Sequence, residues 1–386
     1  MSKKVITLSG TRFLDASGRD FVPHGINMVC KDRALGCIGD YRKDDFEFLK
    51  ENGFNLVRLG LQWCMAEPEA GKYSEEYFCK IDEIISNAAS CGIPVFLDMH
   101  QDLYGAKFED GAPEWATLDE GAEHIRTDLW SESYLVSPAV QTAFDNFWKD
   151  APCADGSGVM TRFIDLWKFI ADRYKDNPYV IGYDVFNEPF PGTPGGEVAQ
   201  ILNSFFEGGT ELSNLEDENT IIKLVGSILP ITSEFEEKVL NPFYDRIFTA
   251  IRSVDKDTLL FLESNYFANA GIPSEIRPAE YPDGRQIEGQ AWAPHGYDIL
   301  VDTADYEGGG TMRVDFIFGS LLERAGSLNI PVFFGEWGCY PNASEAQKEQ
   351  AKHILELFCQ AGVGQTYYDY SHIHDGGILE VLKRNP

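Results

Sequence analysis

The sequence has few basic residues relative to its acidic ones. Of 386 residues, 32 are Lys or Arg and 62 are Asp or Glu, which gives a formal net charge of −30. A surface with this charge repels phosphate backbones and anionic lipid headgroups. The composition therefore argues against nucleic-acid binding and against resting on an anionic membrane, and it favours a neutral or cationic substrate.

The sequence also lacks a metal-binding cysteine motif, a membrane-spanning segment and a signal peptide. The eight cysteines form no CxxC pair and share no zinc-finger spacing with histidines. No apolar run reaches membrane-spanning length, so no stable membrane insertion is expected. The N-terminal MSKKVITLSG lacks the apolar core of a signal peptide. We therefore expect cytoplasmic residence with reduced thiols and neither metal nor cofactor; the sequence gives no indication of oligomeric state.

Short β-branched apolar runs alternate with helix-like stretches along the whole chain, a pattern typical of parallel strands joined by crossover helices. Eight such runs predict a single (β/α)8 TIM barrel over residues 1–386, with residues 1–20 forming a hairpin that closes the barrel bottom. The alternative is an open doubly wound sheet, but no glycine-rich phosphate loop follows the first strand. The eight predicted strands are Phe21–Asn27, Asn55–Gly60, Pro94–His100, Val180–Glu188, Thr258–Ser264, Gln290–His295, Pro331–Glu336 and Gly364–Tyr370.

Two connections are long for a barrel. One follows the third strand and the other follows the fourth, and both should lie on the catalytic face. The second carries the apolar segment IIKLVGSILPI, which either packs on the barrel as a lid helix or lines a groove for an apolar group. Clear helices are predicted at Asp44–Asn52, Glu75–Cys91, Val159–Tyr174 and Ala346–Gln360.

Polar residues stand at the carboxyl ends of five strands, where barrel enzymes carry their catalytic groups. The two glutamates among them follow apolar strands four and seven, which face each other across a barrel mouth. A carboxylate in such a place costs free energy unless it is paired or hydrogen-bonded. The set consists of Arg58, Asp98, His100, Asp102, Asn187, Glu188, His295, Tyr297 and Glu336.

Two opposed carboxyls are what a retaining glycosidase needs, at a separation of about 5–5.5 Å. We predict that Glu336 is the nucleophile and that Glu188 is the acid/base. Arg58 and Tyr297 are placed to keep Glu336 ionised, whereas its charge should keep Glu188 protonated near neutral pH. Asn187 could hydrogen-bond the sugar 2-hydroxyl, a contact that strengthens in the transition state.

Each feature has a simpler interpretation when it is taken alone. The Asn187–Glu188–Pro189 motif could be only a helix start, and a lone buried glutamate could belong to a structural ion pair. His100 and His295 could be hydrogen-bonded core histidines, and two glutamates with an aspartate could bind a divalent metal. The combination of five polar strand ends favours the glycosidase.

Aromatic residues are the second indication of a sugar substrate, since aromatic faces stack on sugar rings. They could equally pack the loops onto the barrel. Those expected on the catalytic side are Trp115, Trp130, Trp148, Trp337, Tyr340 and Tyr368.

The catalytic set resembles that of glycoside hydrolase family 5, in which the Glu of Asn-Glu-Pro is the acid/base and the Glu after strand seven is the nucleophile. The stretches HGINMVCK, DMHQDLYG, DGAPEWA and AFDNFW are similar to the endoglycoceramidase-related branch. The resemblance implies that Lys31, Asp102 and Trp148 contact the sugars.

The sequence departs from that branch in three ways. Tyr368 stands where the family usually has a strand-eight Trp, and Tyr can still stack on a sugar. No C-terminal β-sandwich, which would take about 100 residues, is expected after strand eight. No export signal is seen, although those enzymes are usually secreted.

We therefore expect hydrolysis of a β-glucoside or β-galactoside with an apolar aglycone, such as a glycosylceramide, a sterol glycoside or an aryl glycoside. One rival is an endo-β-1,4-glucanase acting on neutral polysaccharide. A rival of another class is a non-catalytic sugar- or lipid-binding barrel.

Overall fold

Eight parallel strands wind around a common axis in the computed structural model, which describes residues 4–207, 218–301, 311–374 and 377–384. The hydrogen-bonded order runs β10-β12-β3-β4-β5-β6-β7-β8. A parallel bridge between Trp292 and Val332 joins the two outer strands. The sheet therefore closes, which confirms the TIM barrel over the open sheet. Its strands are β3 (His24–Met28), β4 (Leu56–Gln62), β5 (Val95–His100), β6 (Val180–Asp184), β7 (Leu259–Leu262), β8 (Gln290–Trp292), β10 (Phe333–Phe334) and β12 (Gly364–Tyr367).

Five predicted strands are shorter than expected at their carboxyl ends. The fifth ends at Leu262 and the eighth at Tyr367, and the fourth, sixth and seventh end where the chain is interrupted. The fourth ends at Asp184 because the chain leaves the sheet and Glu188 adopts a left-handed φ of 47°. The sixth is interrupted before β9 (His295–Gly296), since Pro294 has no N–H to donate to a neighbouring strand. The seventh is interrupted at Gly335, and β11 (Glu336–Trp337) then pairs with β9. All three interruptions lie at the catalytic rim.

The predicted helices form within one or two residues of their expected bounds. Ser74 caps α3 by accepting the backbone N–H of Tyr77, and Ser344 forms a capping box with Gln347 at the start of α11. The longer helices outside the two long connections are α1 (Lys43–Glu51), α3 (Glu75–Ser90), α6 (Val159–Tyr174), α9 (Asn241–Arg252), α10 (Met312–Leu328) and α11 (Glu345–Ala361); the short ones are α2 (Trp63–Ala66) and α12 (Leu379–Leu382).

The N-terminal hairpin lies at the amino ends of the barrel strands. It consists of β1 (Ile6–Ser9) and β2 (Arg12–Asp15), which pair antiparallel. Ile6 and Phe13 pack into a buried apolar cluster with the inward-facing residues Leu56, Phe96, Ile181, Leu259, Phe261, Ala291, Ala293 and Phe333. This cluster fills the lower half of the barrel.

The two long connections both carry helices, as the loops of a catalytic face should. The first contains α4 (Glu132–Val136) and α5 (Pro138–Trp148). The second contains α7 (Thr193–Glu207) and α8 (Glu218–Phe235), and residues 208–217 between them lie outside the described part. The apolar segment IIKLVGSILPI belongs to α8. None of the described helices has both the length and the apolar composition that a membrane span requires.

Candidate active site

A cavity of about 320 Å³ opens at the carboxyl ends of the strands. Its lining combines charged groups with aromatic and aliphatic side chains. Arg58 and His295 lie beneath this cavity and contact the carboxylates that line it. The sequence-predicted residues on the cavity wall are Lys31, His100, Asp102, Asn187, Glu188, Tyr297, Glu336 and Tyr368.

Glu188 and Glu336 face each other across this cavity. A carboxylate oxygen of Glu188 lies within 4.8 Å of one from Glu336, and His295 lies between them. Inverting glycosidases hold their carboxyls about 6.5–9.5 Å apart to admit a water, whereas retaining ones hold them about 5–5.5 Å apart. The separation is therefore too short for the inverting range and favours the retaining one.

Glu336 is held as a carboxylate. Its Oε1 forms an ion pair with Arg58, and its Oε2 accepts the hydroxyl of Tyr297 at 2.7 Å. Burial alone would raise its pKa, but His295 and Arg58 outweigh that effect and hold the pKa of Glu336 at about 2. The group is therefore ionised at every pH at which a nucleophile would be needed, as the sequence predicted from Arg58 and Tyr297.

Glu188 has the opposite tendency. Burial raises the pKa of Glu188 above its usual range, and the charge of Glu336 adds to this, whereas His295 opposes it. Its Oε1 accepts the side-chain amide of Asn269 at 2.7 Å and lies 2.9 Å from Nδ1 of His295. Two carboxyls in one cavity thus differ in proton affinity in the direction that a nucleophile and an acid require.

Arg58 connects the two opposed glutamates to the barrel interior. Its Nε lies 2.9 Å from Asp184, and its Nη2 lies 2.9 Å from Asp98 and 3.0 Å from Glu263. The same nitrogen donates to Oδ1 of Asn187 at 2.9 Å, which fixes that side chain beside the catalytic pair. Burial and the neighbouring Glu263 raise the pKa of Asp184 well above its usual range, so the protonated acid is favoured there.

The far wall of the cavity carries groups suited to a sugar. Lys31 forms an ion pair with Asp102, and its Nζ lies 5.5 Å from the ring centre of Tyr368 and 5.8 Å from that of Trp130. The rings of His100 and Tyr368 are nearly parallel, with centroids 6.3 Å apart. Charged donors and acceptors beside aromatic faces can bind the hydroxyls and the C–H face of one sugar ring.

The structure does not bring Trp148 to the cavity. Its indole N–H donates to the carbonyl of Phe190 at 2.8 Å, and its ring packs among Phe147, Phe186, Phe235 and Phe243. Trp148 lies at the last turn of α5, and that helix turns it into the aromatic core. Of the other predicted aromatics, Trp130 and Tyr368 line the cavity, whereas Trp115, Trp337 and Tyr340 do not.

Two groups of the site were not among the predicted residues. Glu263 follows β7 directly, so it carries the same signal as Glu188 and Glu336: an acidic residue that ends an apolar strand. Asn269 lies in a short helical turn, Tyr266–Ala270, and no pattern in the sequence distinguishes it. Its side-chain amide donates to Glu188, and its backbone carbonyl accepts the N–H of Tyr297 at 3.0 Å. Asn269 therefore contacts Glu188 directly and also Tyr297, whose hydroxyl donates to Glu336.

Within the described residues, three clusters of carboxylates and histidine have donor atoms close enough to share an ion. One is His100, Asp102 and Asp110, but there Lys31 lies against the aspartates. The other two share His295, which meets Glu188 and Glu336 in one and Asp184 and Glu263 in the other. Burial opposes the charge on His295, but Glu263 and Glu336 raise its pKa well above the usual range. A protonated imidazole has no lone pair for a metal, so this arrangement favours proton transfer.

A second, apolar cavity of about 250 Å³ adjoins the first. It is lined by α8, including Ile221, Leu224, Val225 and Ile228, so the apolar segment of the long connection is both a helix and a groove wall. The two cavities share four side chains, Leu202, Phe267, Ala270 and Ile299. An apolar group attached to a sugar in the first cavity therefore has an adjoining apolar space.

Curated relatives of the chain include two endoglycoceramidases that match about two thirds to three quarters of it. An endoglycoceramidase of Cyanea nozakii is 29% identical over 289 residues, which is 67% of this chain and 50% of that protein. An endoglycoceramidase of Hydra vulgaris is 27% identical, over 74% of this chain and 53% of that protein. The chain thus spans about half the length of the curated relatives that it matches.

Solved structures share the fold. Endo-glycoceramidase II from Rhodococcus sp., in a ganglioside GM3 complex, superposes with a TM-score of 0.76 at 23% identity, covering 97% of this chain and 81% of that one. The family profile described as Cellulase (glycosyl hydrolase family 5) matches residues 14–373. The chain therefore belongs to glycosyl hydrolase family 5 and resembles its endoglycoceramidase-related branch.

Proposed function

We propose that the chain is a retaining β-glycoside hydrolase that works by double displacement. The observation that carries this proposal is the pair of carboxylate oxygens within 4.8 Å across one cavity, on two glutamates whose proton affinities differ. Glu336 attacks the anomeric carbon while Glu188 protonates the leaving oxygen. Glu188, which has given its proton to the departing aglycone, is then a carboxylate, and it stays ionised more easily because the glycosyl ester has removed the negative charge of Glu336. It takes a proton from the water that attacks the anomeric carbon, and the sugar leaves as Glu336 regains its charge.

We further propose that the substrate is a β-glucoside or β-galactoside with an apolar aglycone, of the glycolipid class. The apolar cavity beside the catalytic one supports this, because each methylene moved out of water contributes about 0.8 kcal/mol. Relatives named endoglycoceramidase, glucosylceramidase and sterylglucosidase support it as well. Lys31, His100, Asp102, Asn187 and Tyr368 would hold the sugar, since they line the catalytic cavity.

The reaction is tested by following the anomeric protons of the product by NMR immediately after mixing. Suitable substrates are a fluorescent glucosylceramide, nitrophenyl β-glucoside and β-galactoside, and a cello-oligosaccharide. We expect the β-anomer to form first from the glycolipid and from at least one nitrophenyl glycoside. First formation of the α-anomer would contradict the mechanism. Activity on the cello-oligosaccharide alone would replace the proposed substrate with a neutral polysaccharide.

The aglycone is tested on α8. Leu224→Glu places a charge in the apolar cavity, whereas Lys223→Glu places the same charge on an exposed position of the same helix. We expect Leu224→Glu to lower kcat/KM on the glycolipid about tenfold or more, since about 1.4 kcal/mol corresponds to tenfold. Both variants should retain the wild-type rate on nitrophenyl glycosides. An equal loss in both variants would contradict aglycone binding in this cavity.

A further inference from the structure

Glu263 is buried beneath the catalytic pair and has three partners in the site. It follows β7 and is 2% exposed. Its Oε2 accepts the backbone N–H of Glu188 at 2.8 Å. Its Oε1 lies 3.0 Å from Nη2 of Arg58 and 3.3 Å from Nε2 of His295. The hydroxyl of Tyr244 accepts the N–H of Glu263 at 2.9 Å, which anchors this residue to α9.

The contact with the backbone of Glu188 matters because that backbone is strained. Glu188 has a φ of 47°, and a residue that carries a side chain adopts the left-handed region only at a cost in free energy. A buried carboxylate that accepts the N–H of Glu188 gives a charge-assisted hydrogen bond, which is stronger than a neutral one. Glu263 therefore stabilises the conformation that directs the Glu188 side chain into the cavity.

The contact with His295 is electrostatic. Nδ1 of this ring lies 2.9 Å from Glu188 and 3.6 Å from Glu336, whereas Nε2 lies 3.3 Å from Glu263 without the geometry of a hydrogen bond. The negative charge of Glu263 on this side of the ring favours a proton on Nε2. A neutral imidazole would present a lone pair to one of these acceptors, whereas the imidazolium presents an N–H to each side. The titratable groups that face the ring are Asp184 from β6, Glu188 from the loop after it, Glu263 from the end of β7 and Glu336 from β11.

We infer that Glu263 is a positioning residue for the reaction, because its carboxylate holds the left-handed backbone of Glu188 and keeps the His295 ring doubly protonated. This inference rests on the proposed function. The His295 ring contacts the carboxylates of Glu188 and Glu336 directly, whereas the Glu263 carboxylate contacts the ring and the backbone N–H of Glu188. Loss of the positive charge on that ring would therefore raise the proton affinity of Glu188 and of Glu336 together.

Glu263→Gln tests the inference, since it keeps the size of the side chain and removes its charge. We expect both limbs of the kcat/KM pH profile to move upward by about one pH unit or more, the size of shift that one close charge produces. We also expect Glu263→Asp, which keeps the charge, to move them less. Limbs that stay in place or move downward in Glu263→Gln would overturn the inference.

Glu236→Gln is the matched control. Glu236 is also a buried glutamate near this loop, and its carboxylate accepts the backbone N–H of Asn265 at 2.9 Å without contacting His295. We expect this variant to lower the temperature of unfolding and to leave both pH limbs in place. If it moved the limbs as Glu263→Gln does, the shift would reflect general loosening and the positioning role would be refuted.

A second readout does not depend on turnover. In protein labelled with 15N-histidine, we expect ring N–H signals from both nitrogens of His295 at pH 7, assigned by their loss in His295→Asn. One or both should disappear in Glu263→Gln and persist in Glu236→Gln. Persistence of both in Glu263→Gln would overturn the inference. A wild type inactive on every glycoside would instead refute the proposed function, and this NMR comparison would still apply.

Discussion

The two halves of the barrel interior are built on the same strands and differ completely in chemistry. In the lower half, Phe96, Phe261 and Phe333 meet edge to face with ring centroids 5.0–5.4 Å apart. Asp98 stands two residues after Phe96, and Glu263 stands two residues after Phe261. Both carboxylates contact Arg58 in the upper half. Because alternate residues of a strand face the same side, β5 and β7 supply aromatic packing below and a carboxylate two residues later.

The contrast separates stability from chemistry. Edge-to-face aromatic packing stabilises the fold through buried apolar area. Buried charges contribute little net stability, because desolvation offsets their attraction, but an unpaired one is costly. The upper half is therefore arranged for function, with Arg58 and His295 balancing the acids. Substitutions in the two halves should have effects of different kinds.

The largest effect is expected for Glu336→Gln. Removal of the nucleophile should lower kcat by about 10⁴-fold or more on every substrate, as loss of a central catalytic group does in other enzymes. Thermal unfolding, followed by circular dichroism, should change by only a few degrees because the amide fills the same space. A variant that kept more than a tenth of wild-type turnover would contradict the assignment.

Glu188→Gln should have an effect that depends on the leaving group. A general acid contributes about 10²–10⁴-fold, so this loss is expected on the glycolipid and little of it on a dinitrophenyl glycoside. Wild-type kcat/KM should fall as pH rises through the raised pKa of Glu188, since the acid must carry its proton. That basic limb should be absent in the variant. Equal losses on both substrates would indicate that Glu188 is not the acid.

Phe261→Ala tests the lower half of the barrel. The cavity left by the ring should reduce the free energy of unfolding by about 3–5 kcal/mol, measured in urea. At urea concentrations below the lowered midpoint of unfolding, the variant is still folded. It should then keep the wild-type pH profile of kcat/KM, because the ring of Phe261 contacts no catalytic group. Displaced pH limbs in this variant would show that the two halves are coupled more closely than the contrast suggests.

The smallest effect is expected for Tyr297→Phe, which removes one hydrogen bond to Glu336 at 2.7 Å. Such bonds to charged groups contribute about 1.5–3 kcal/mol, so kcat/KM should fall about ten- to a hundredfold. The acid limb should move upward, because that bond helps to hold the pKa of Glu336 at about 2. An acid limb in its wild-type place would contradict the role of Tyr297, and a stability equal to wild type would serve as the control.

The barrel could be predicted from the sequence because the alternation of apolar runs and helices is a local signal. The early ends of the strands at the rim could not be predicted from the sequence. The interruptions at Pro294, Gly335 and Glu188 depend on how neighbouring strands meet. The position of Trp148 could not be predicted either, because its helix packs the ring among aromatic residues from other parts of the chain. Cytoplasmic residence stays a prediction. None of the eight cysteines, which all lie within the described residues, forms a disulfide.

The site shows the same division. Glu188, Glu336 and Tyr297 could be identified because each stands near a strand end. Arg58 was identified on the same expectation, although β4 continues to Gln62 and Arg58 lies inside it. The structure places the four in contact with one another or with one cavity. Glu263 carried the same signal and was missed because its role depends on partners from other strands. The apolar run in α8 predicted either a lid or a groove, and only the tertiary packing shows the adjoining cavity.

The most direct test of double displacement is to trap the covalent intermediate. A 2-deoxy-2-fluoro β-glycoside with a dinitrophenyl leaving group forms the glycosyl ester but hydrolyses it slowly. After peptic digestion and mass spectrometry, the account predicts one added glycosyl group on the peptide that contains Glu336 and none in Glu336→Gln. An adduct on Glu188, or turnover to product of inverted configuration with no adduct, would contradict it.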